Sequence, residues 1–453
     1  MWSVCLLTAT LLNMPSPLEA QPSRHLNQPT SSQQRFLSPL LPPDELSIRA
    51  KSAVLIDGVT GEVLVAHNPN LQIPPASFVK LLTLYVVFDA IKQGKARLDE
   101  TVLISKKAWK TGGSKMFIEV GTKLSVQELI QGIAVVSGND AAVAMAEHLY
   151  GDADTFTRVL NRYAQRLGMT HSFFANPHGL PTQKQWTTAH DMARLARSYV
   201  NHFPEALRYH SMQTYTYQGI TQRNRNRLLQ HDDLEVDGLK TGWVVESGYN
   251  LVATSHRDGH RLISVVMGAQ TAAIRAQETL KLLKYGYQNF ALLTLAEPGQ
   301  VVAELPVWKG VTDRLAIMTP ERSVIVLPRE HIGRIQQVQV LPKALTAPVE
   351  KGQVLGKLII TDGADQLRSI ALVAGAQMPA AGWFKRLWHH VYLHGLSTTQ
   401  LLLLILVGVL GVVFLATLIM MAKRRRRRRP SLQSLLAPHR PMRGRAFRSR
   451  LAR

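Results

Sequence analysis

Along the chain the spacing of hydrophobic positions changes several times, and each change marks an element. Residues 52–56 and 62–66 are short apolar runs with the composition of strands. Between them, Asp57-Gly58-Val59-Thr60-Gly61 has the residues of a hairpin turn. From 77 to 93 the pattern is apolar nearly all round, with Leu81, Leu82, Leu84, Tyr85, Val86, Val87, Phe88 and Ile91, which predicts a fully buried helix stopped by Gly94. Ser125-Val126-Gln127-Glu128 fits a capping box opening a helix that runs to about Val136. A second helix is predicted over 140–149, ended by Gly151. Between 235 and 268 the chain returns to strands around an Arg257-Asp258-Gly259 turn, and 274–290 reads as an amphipathic helix. Strands at both ends with helices between predict an α/β (α+β) domain over 44–295. Its antiparallel sheet is completed by both ends of the segment.

After residue 296 the pattern shortens. Runs rich in β-branched residues at 323–327, 336–341 and 354–361 are separated by turns, which predicts a small all-β domain over 296–380. In the segment 381–400, Trp383, Phe384, Leu387, Trp388, Val391, Tyr392 and Leu393 recur at helical spacing, as in an amphipathic stretch lying at headgroup depth. Residues 401–422 carry no charge at all, and as a helix they would span roughly 33 Å, enough for one membrane crossing. Lys423 and Arg424 to Arg429 follow directly. The positive-inside rule then places the basic tail 423–453 in the cytoplasm and everything before the span outside. The apolar run 4–12, followed by Pro15, Pro17 and Ala20, reads as a signal peptide over 1–20, although no Lys or Arg precedes Arg24. Residues 21–43, rich in Gln, Ser and Pro, read as a linker.

Composition changes this picture little. At 46% hydrophobic and 19% charged residues, the 453-residue chain can bury a sizeable core. A net charge of +22 first suggests a nucleic-acid partner, yet thirteen of the Lys and Arg residues lie between Lys423 and Arg453, where there is no acid. The excess is therefore largely a tail. Attraction to anionic lipid headgroups accounts for it without nucleic acid, since the tail has one aromatic, Phe447, and no recognition motif. Cys5, inside the expected signal peptide, is the single cysteine, so a processed chain has no disulfide and no Cys-ligated metal.

Three short motifs carry candidate chemistry. Ser77-Phe78-Val79-Lys80 opens the buried helix, and its i, i+3 spacing sets the lysine amine within reach of the serine hydroxyl. A lysine in an apolar site near another cation loses proton affinity, and the neutral amine can act as a base. Ser137-Gly138-Asn139 lies in the turn between two helices and offers a proton-relaying hydroxyl and a peptide-holding amide. Lys240-Thr241-Gly242 lies on a strand, where a cation and a hydroxyl can bind a carboxylate and the glycine admits a close backbone. Each motif alone has a bland reading: a helix N-cap, turn residues, or an edge-strand lysine. Their joint order is the signature of serine β-lactamases and penicillin-binding proteins.

The resemblance is wider than these motifs. Pro75 to Lys80, Phe174-Ala175-Asn176-Pro177-His178-Gly179-Leu180, Val236 to Gly242 and Gly248 to Ala253 are similar to the low-molecular-mass serine D-alanyl-D-alanine carboxypeptidases, over roughly residues 47–290. More loosely, Leu345 to Gln353 is similar to the family's C-terminal module. The resemblance implies attack by Ser77 on the carbonyl between two terminal D-alanines of a peptidoglycan stem peptide, with Lys80 as base. It implies an oxyanion held by the backbone N–H groups of Ser77 and Trp243, proton relay through Ser137, and Lys240 lowering the proton affinity of its neighbours. Asn139 would hold the peptide, while Thr241 and Arg275 would bind the terminal carboxylate. Water releases the acyl-enzyme, β-lactams enter the same route, and no metal or cofactor is needed. His178 is expected to be structural, because Lys80 already supplies the base. Two departures stand out. Trp243 and Val244 occupy positions where the family commonly has His or Thr and then Thr, and the chain adds a full span where the family usually ends in an amphipathic helix. The rival readings are a β-lactamase, against which the missing Glu-x-x-Leu-Asn counts, a D,D-endopeptidase, and a catalytically idle membrane-anchored wall-binding protein.

Overall fold

The computed structural model describes residues 46–387 and 398–427. The expected signal peptide and linker, residues 388–397 of the juxtamembrane segment, and the tail beyond residue 427 lie outside the described residues. The chain divides into two compact units. One runs to Ala296 and also takes in Arg322–Val338 and Ile359–Arg368; the other comprises Glu297–Glu321, Gln339–Leu358 and the chain from Ser369.

The first unit begins with strands β1 (Ser52–Asp57) and β2 (Val63–His67). Their turn is tied by the Asp57 carboxylate, which accepts hydrogen bonds from the Val59 and Thr60 amides, and it closes at Gly61, whose φ is +81°. The buried run forms α1 (Val79–Lys92), and the chain leaves it through Gly94 at φ +70°. Helices α2 (Val126–Ala134), α3 (Asn139–Tyr150), α4 (Ala153–Arg166) and α5 (Ala189–His202) follow. Strands β3 (Val236–Val244), β4 (Gly248–Arg257) and β5 (His260–Ala269) and helix α6 (Ala272–Asn289) complete this part. The expected elements thus form, with ends shifted by a residue or two.

The sheet is antiparallel, in the order β2-β1-β5-β4-β3, so the first strands of the segment pair with its last ones. Alternation along the strands divides the core in two. Val54, Ile56, Val252, Ile263 and Val265 pack with the helices α1 to α5. Ala53, Leu55, Leu251, Ala253 and Val266 pack with Leu282 and Leu283 of α6. A period of two thus produces two hydrophobic layers from one set of strands. Strand β3 is left at the edge.

Further along come β6 (Phe290–Ala296), β7 (Val301–Trp308), β8 (Arg314–Met318), β9 (Ser323–Pro328), β10 (Ile335–Val340), β11 (Leu345–Thr346), β12 (Val354–Asp362) and β13 (Asp365–Ala374). In the first unit β6 pairs antiparallel with β9. In the second, β8 lies antiparallel between β7 and the end of β13, and β11 joins β7 in parallel. The second unit also carries α7 (Thr398–Arg427), in which Leu402–Arg424 is long and apolar enough to cross a membrane.

The capping box at the start of α2 is complete: the Glu128 amide donates to Ser125 Oγ at 3.2 Å, and the Ser125 amide donates to Glu128 Oε2 at 2.7 Å. Ser125→Ala removes one half of this exchange. It is expected to destabilise the unit by about 1 kcal/mol, seen as a lower denaturant midpoint with an unchanged slope.

Candidate active site

Ser77 stands in a 3₁₀ turn (Ala76–Phe78) that feeds directly into α1, and Lys80 is in the first turn of that helix. The turn is held tightly on two sides. Gly179 has φ +88°, and a Cβ placed there would lie 1.7 Å from the Ala76 carbonyl oxygen. A Cβ on Gly242 of β3 would stand 3.3 to 3.4 Å from Ala76, Phe78 and the Ser77 amide. Gly179 is therefore required because backbone passes against backbone, whereas Gly242 leaves room for the Ala76 and Phe78 side chains and the Ser77 amide.

The Lys80 side chain is completely buried. Its Nζ lies 3.1 Å from Ser77 Oγ, 2.6 Å from Asn139 Oδ1 and 2.5 Å from the His178 carbonyl oxygen. All three partners are uncharged. Burial lowers its pKa most, the nearby Lys240 and Arg225 lower it further, and only Asp140 opposes them. The result lies well below the ordinary lysine value, so the neutral amine is accessible.

Ser137 adopts a left-handed conformation, φ +63°, and its buried hydroxyl has no hydrogen-bond partner among the described residues. Immediately after it, Asn139 holds Lys80 with its oxygen and donates through Nδ2 to the Gly112 carbonyl at 2.7 Å. The expected peptide-holding amide is thus first a clamp on the lysine. Asp140 fixes the facing loop, its carboxylate accepting from the backbone amides of Met116, Phe117 and Ile118.

On β3, Lys240 is buried and its Nζ donates to the Thr241 carbonyl at 3.1 Å. Its pKa falls to about 7, through burial first and then Arg225 and Arg275. Arg275, in the first turn of α6, donates to the Arg225 carbonyl, and its pKa falls to about 10 by burial and the neighbouring Arg227. Arg225 reaches Ser114 Oγ at 2.8 Å. Trp243 is 53% exposed, with its ring tilted against Tyr249.

Ser77, Ser137, Asn139, Thr241, Gly242, Trp243 and Arg275 line one cleft of about 1130 Å³. Lys80 meets it through its bond to Ser77, and Lys240 lies next to Thr241 on β3. Every residue singled out from sequence is thus brought together. His178 contributes its carbonyl to Lys80, while its ring, held near pKa 3 by burial and by Lys80, stays neutral and accepts from the Leu180 amide. Arg225 and Asp140 are functional neighbours that lie outside the three sequence motifs. Asp140 directly follows Ser137-Gly138-Asn139 and could have been flagged, whereas Arg225 sits in the arginine-rich run 223–227 and carries no motif of its own.

A family model described as D-alanyl-D-alanine carboxypeptidase matches residues 40–271, and one described as penicillin-binding protein 5, C-terminal domain, matches residues 290–380. The D-alanyl-D-alanine carboxypeptidase DacC of Escherichia coli (strain K12) is 36% identical over 352 residues, covering 76% of this chain and 88% of that protein. DacA of Haemophilus influenzae is 37% identical over 346 residues, covering 75% of this chain and 88% of its own length. The crystal structure of penicillin-binding protein 5 from Haemophilus influenzae superposes with a TM-score of 0.66 at 37% identity, covering 73% of this chain and 98% of that one.

The depressed Lys240 is directly testable. In a lysine-labelled NMR titration one buried lysine should titrate near pH 7, over three units below the usual 10.5. Removing a neighbouring cation favours the protonated form, so Arg225→Gln should shift this transition upward. An unshifted lysine in the wild-type protein would contradict the electrostatics described.

Proposed function

Because the chain belongs to the serine D-alanyl-D-alanine carboxypeptidase family of penicillin-binding proteins, we propose that Ser77 carries its acyl chemistry on the terminal D-alanyl-D-alanine of peptidoglycan stem peptides. The observation that supports this most is the contact of Ser77 Oγ with a buried, charge-depressed Lys80 at 3.1 Å. Lys80 takes the hydroxyl proton as Ser77 attacks the carbonyl between the two D-alanines. The backbone N–H groups of Ser77 and Trp243 receive the developing oxyanion. β3 is an edge strand, so an extended peptide can lie beside it as one more strand.

Thr241 and Arg275 bind the terminal carboxylate, and Lys240 holds the local potential positive. Ser137, whose hydroxyl has no partner among the described residues, passes a proton to the departing D-alanine. Asn139 keeps Lys80 aimed and presents the cleft-side amide to the peptide. Water then cleaves the ester. A β-lactam follows the same first step and acylates Ser77.

The domain scheme of the sequence completes the proposal: a signal peptide at 1–20, a linker at 21–43, a catalytic domain over 44–295, a β domain over 296–380, a juxtamembrane segment and one span. In it the catalytic part faces the exterior of the cytoplasmic membrane, and the arginine-rich tail meets anionic lipids on the inner side.

Two measurements test these readings. Fluorescent penicillin should label the purified wild-type protein covalently, and Ser77→Ala should abolish both labelling and D-alanine release, a loss of roughly 10⁴-fold or more. A folded wild-type protein that takes up no label would favour the idle wall-binding alternative. For topology, protease added outside spheroplasts should degrade the catalytic part and spare an epitope on the tail; the reverse pattern would invert the orientation.

A further inference from the structure

A second cavity, of about 610 Å³, shares no lining residue with the catalytic cleft. It is built from the β1–β2 turn, the C-terminal end of α4 and one face of α5. Its polar lining includes Arg166, His190, Arg194, Arg197, Ser198 and Asn201, and no carboxylate lines it. His190, Arg194, Arg197 and Asn201 follow one another at i, i+4, i+7 and i+11, which puts them along a single stripe of α5.

Two of the arginines are fixed against backbone. The Arg197 guanidinium lies over Gly61, where a Cβ would stand 2.8 Å from its Nε, and Nη2 donates to the Val59 carbonyl at 2.6 Å. Its buried Nε has no hydrogen-bond partner among the described residues. Arg194 lies over Gly168, where a Cβ would stand 2.5 Å from Nη1. Both glycines have positive φ, +81° and +72°, so an ordinary side chain is disfavoured at each on conformational as well as steric grounds. Of the acids nearest in sequence, Glu62 sits between the lining residues Gly61 and Val63 without lining the cavity itself, and burial pushes its pKa up to about 7, so its negative charge is weakened; the other two are engaged elsewhere. Asp191 accepts from the His171 amide and Ser172 Oγ, and Asp57 from the turn amides and His260. His190 is held below its usual pKa by burial and by Arg194, so it adds no compensating charge of either sign.

Guanidinium groups gathered in a concavity without a carboxylate repel one another until an anion enters. Guanidiniums one helical turn apart can grip one tetrahedral oxyanion with one two-pronged N–H fork each. We propose that this cavity is a second ligand site, independent of the serine chemistry, that binds a phosphate monoester dianion. Arg194 and Arg197 hold its oxygens, Arg166 closes the side at the end of α4, and Asn201 and Ser198 supply neutral hydrogen bonds.

The test uses the full chain in a neutral detergent at fixed ionic strength, with inorganic phosphate as the probe in a calorimetric titration. Binding of one phosphate is expected, weakened about tenfold or more by Arg194→Gln and by Arg197→Gln. Arg194→Gln keeps the Val59 anchor, and a cooperative melting transition without phosphate verifies that either variant is folded. Arg275→Gln, in the catalytic cleft, should leave the titration unchanged. No binding at millimolar phosphate, binding indifferent to both α5 variants, or binding abolished by Arg275→Gln would each overturn the proposal.

Discussion

The site depends on one unbalanced burial: the Lys80 amine sits in the interior among a hydroxyl, a side-chain amide and a backbone carbonyl, with no carboxylate touching it. As a neutral amine it donates its two N–H groups to Asn139 Oδ1 and the His178 carbonyl, and its lone pair accepts from the Ser77 hydroxyl, so its hydrogen-bonding capacity is met without a charge. An ammonium there would lack the compensation that buried ions require. Asp140, the acid close enough to matter, has its carboxylate occupied by the backbone amides of residues 116–118. The surroundings thus supply geometry and withhold charge, which is the condition for a lysine to serve as a base near neutrality.

That condition works against folding. In the unfolded chain Lys80 and Lys240 would be protonated up to the usual lysine range, whereas both are depressed in the fold. The unfolded state therefore binds more protons, and stability rises with pH between the folded and unfolded values. At neutral pH the deficit is offset by the apolar layers on both faces of the sheet. Because α1 is buried nearly all round, the turn carrying Ser77 is anchored in the larger core.

Much of this was legible beforehand, and the reasons differ by element. The capping box at Ser125, the hairpin at Asp57 and the buried run of α1 are local signals, and local structure followed them. Ser77 and Lys80 were legible because a helix places i and i+3 on one face. The His178 carbonyl that holds Lys80 could not be read, because any residue supplies a carbonyl. Arg225 was equally silent: its effect on both lysines comes from a long-range approach rather than from spacing. The compact units were not legible either, since residues 322–338 and 359–368 join the first unit through contacts that leave no mark in the order of the chain. Gly61 reads as a plain turn glycine, and its role as a seat for a guanidinium group, like that of Gly168, emerges only in three dimensions.

Lys240, with a pKa of about 7, lies where a group changes its protonation most for a given change in potential. It behaves as a charge capacitor rather than a fixed charge. A carboxylate arriving beside it would draw a proton from solution, and a departing one would return it. Occupancy of the cleft by an anionic ligand is then accompanied by proton uptake, and affinity for such a ligand weakens as pH rises above neutrality.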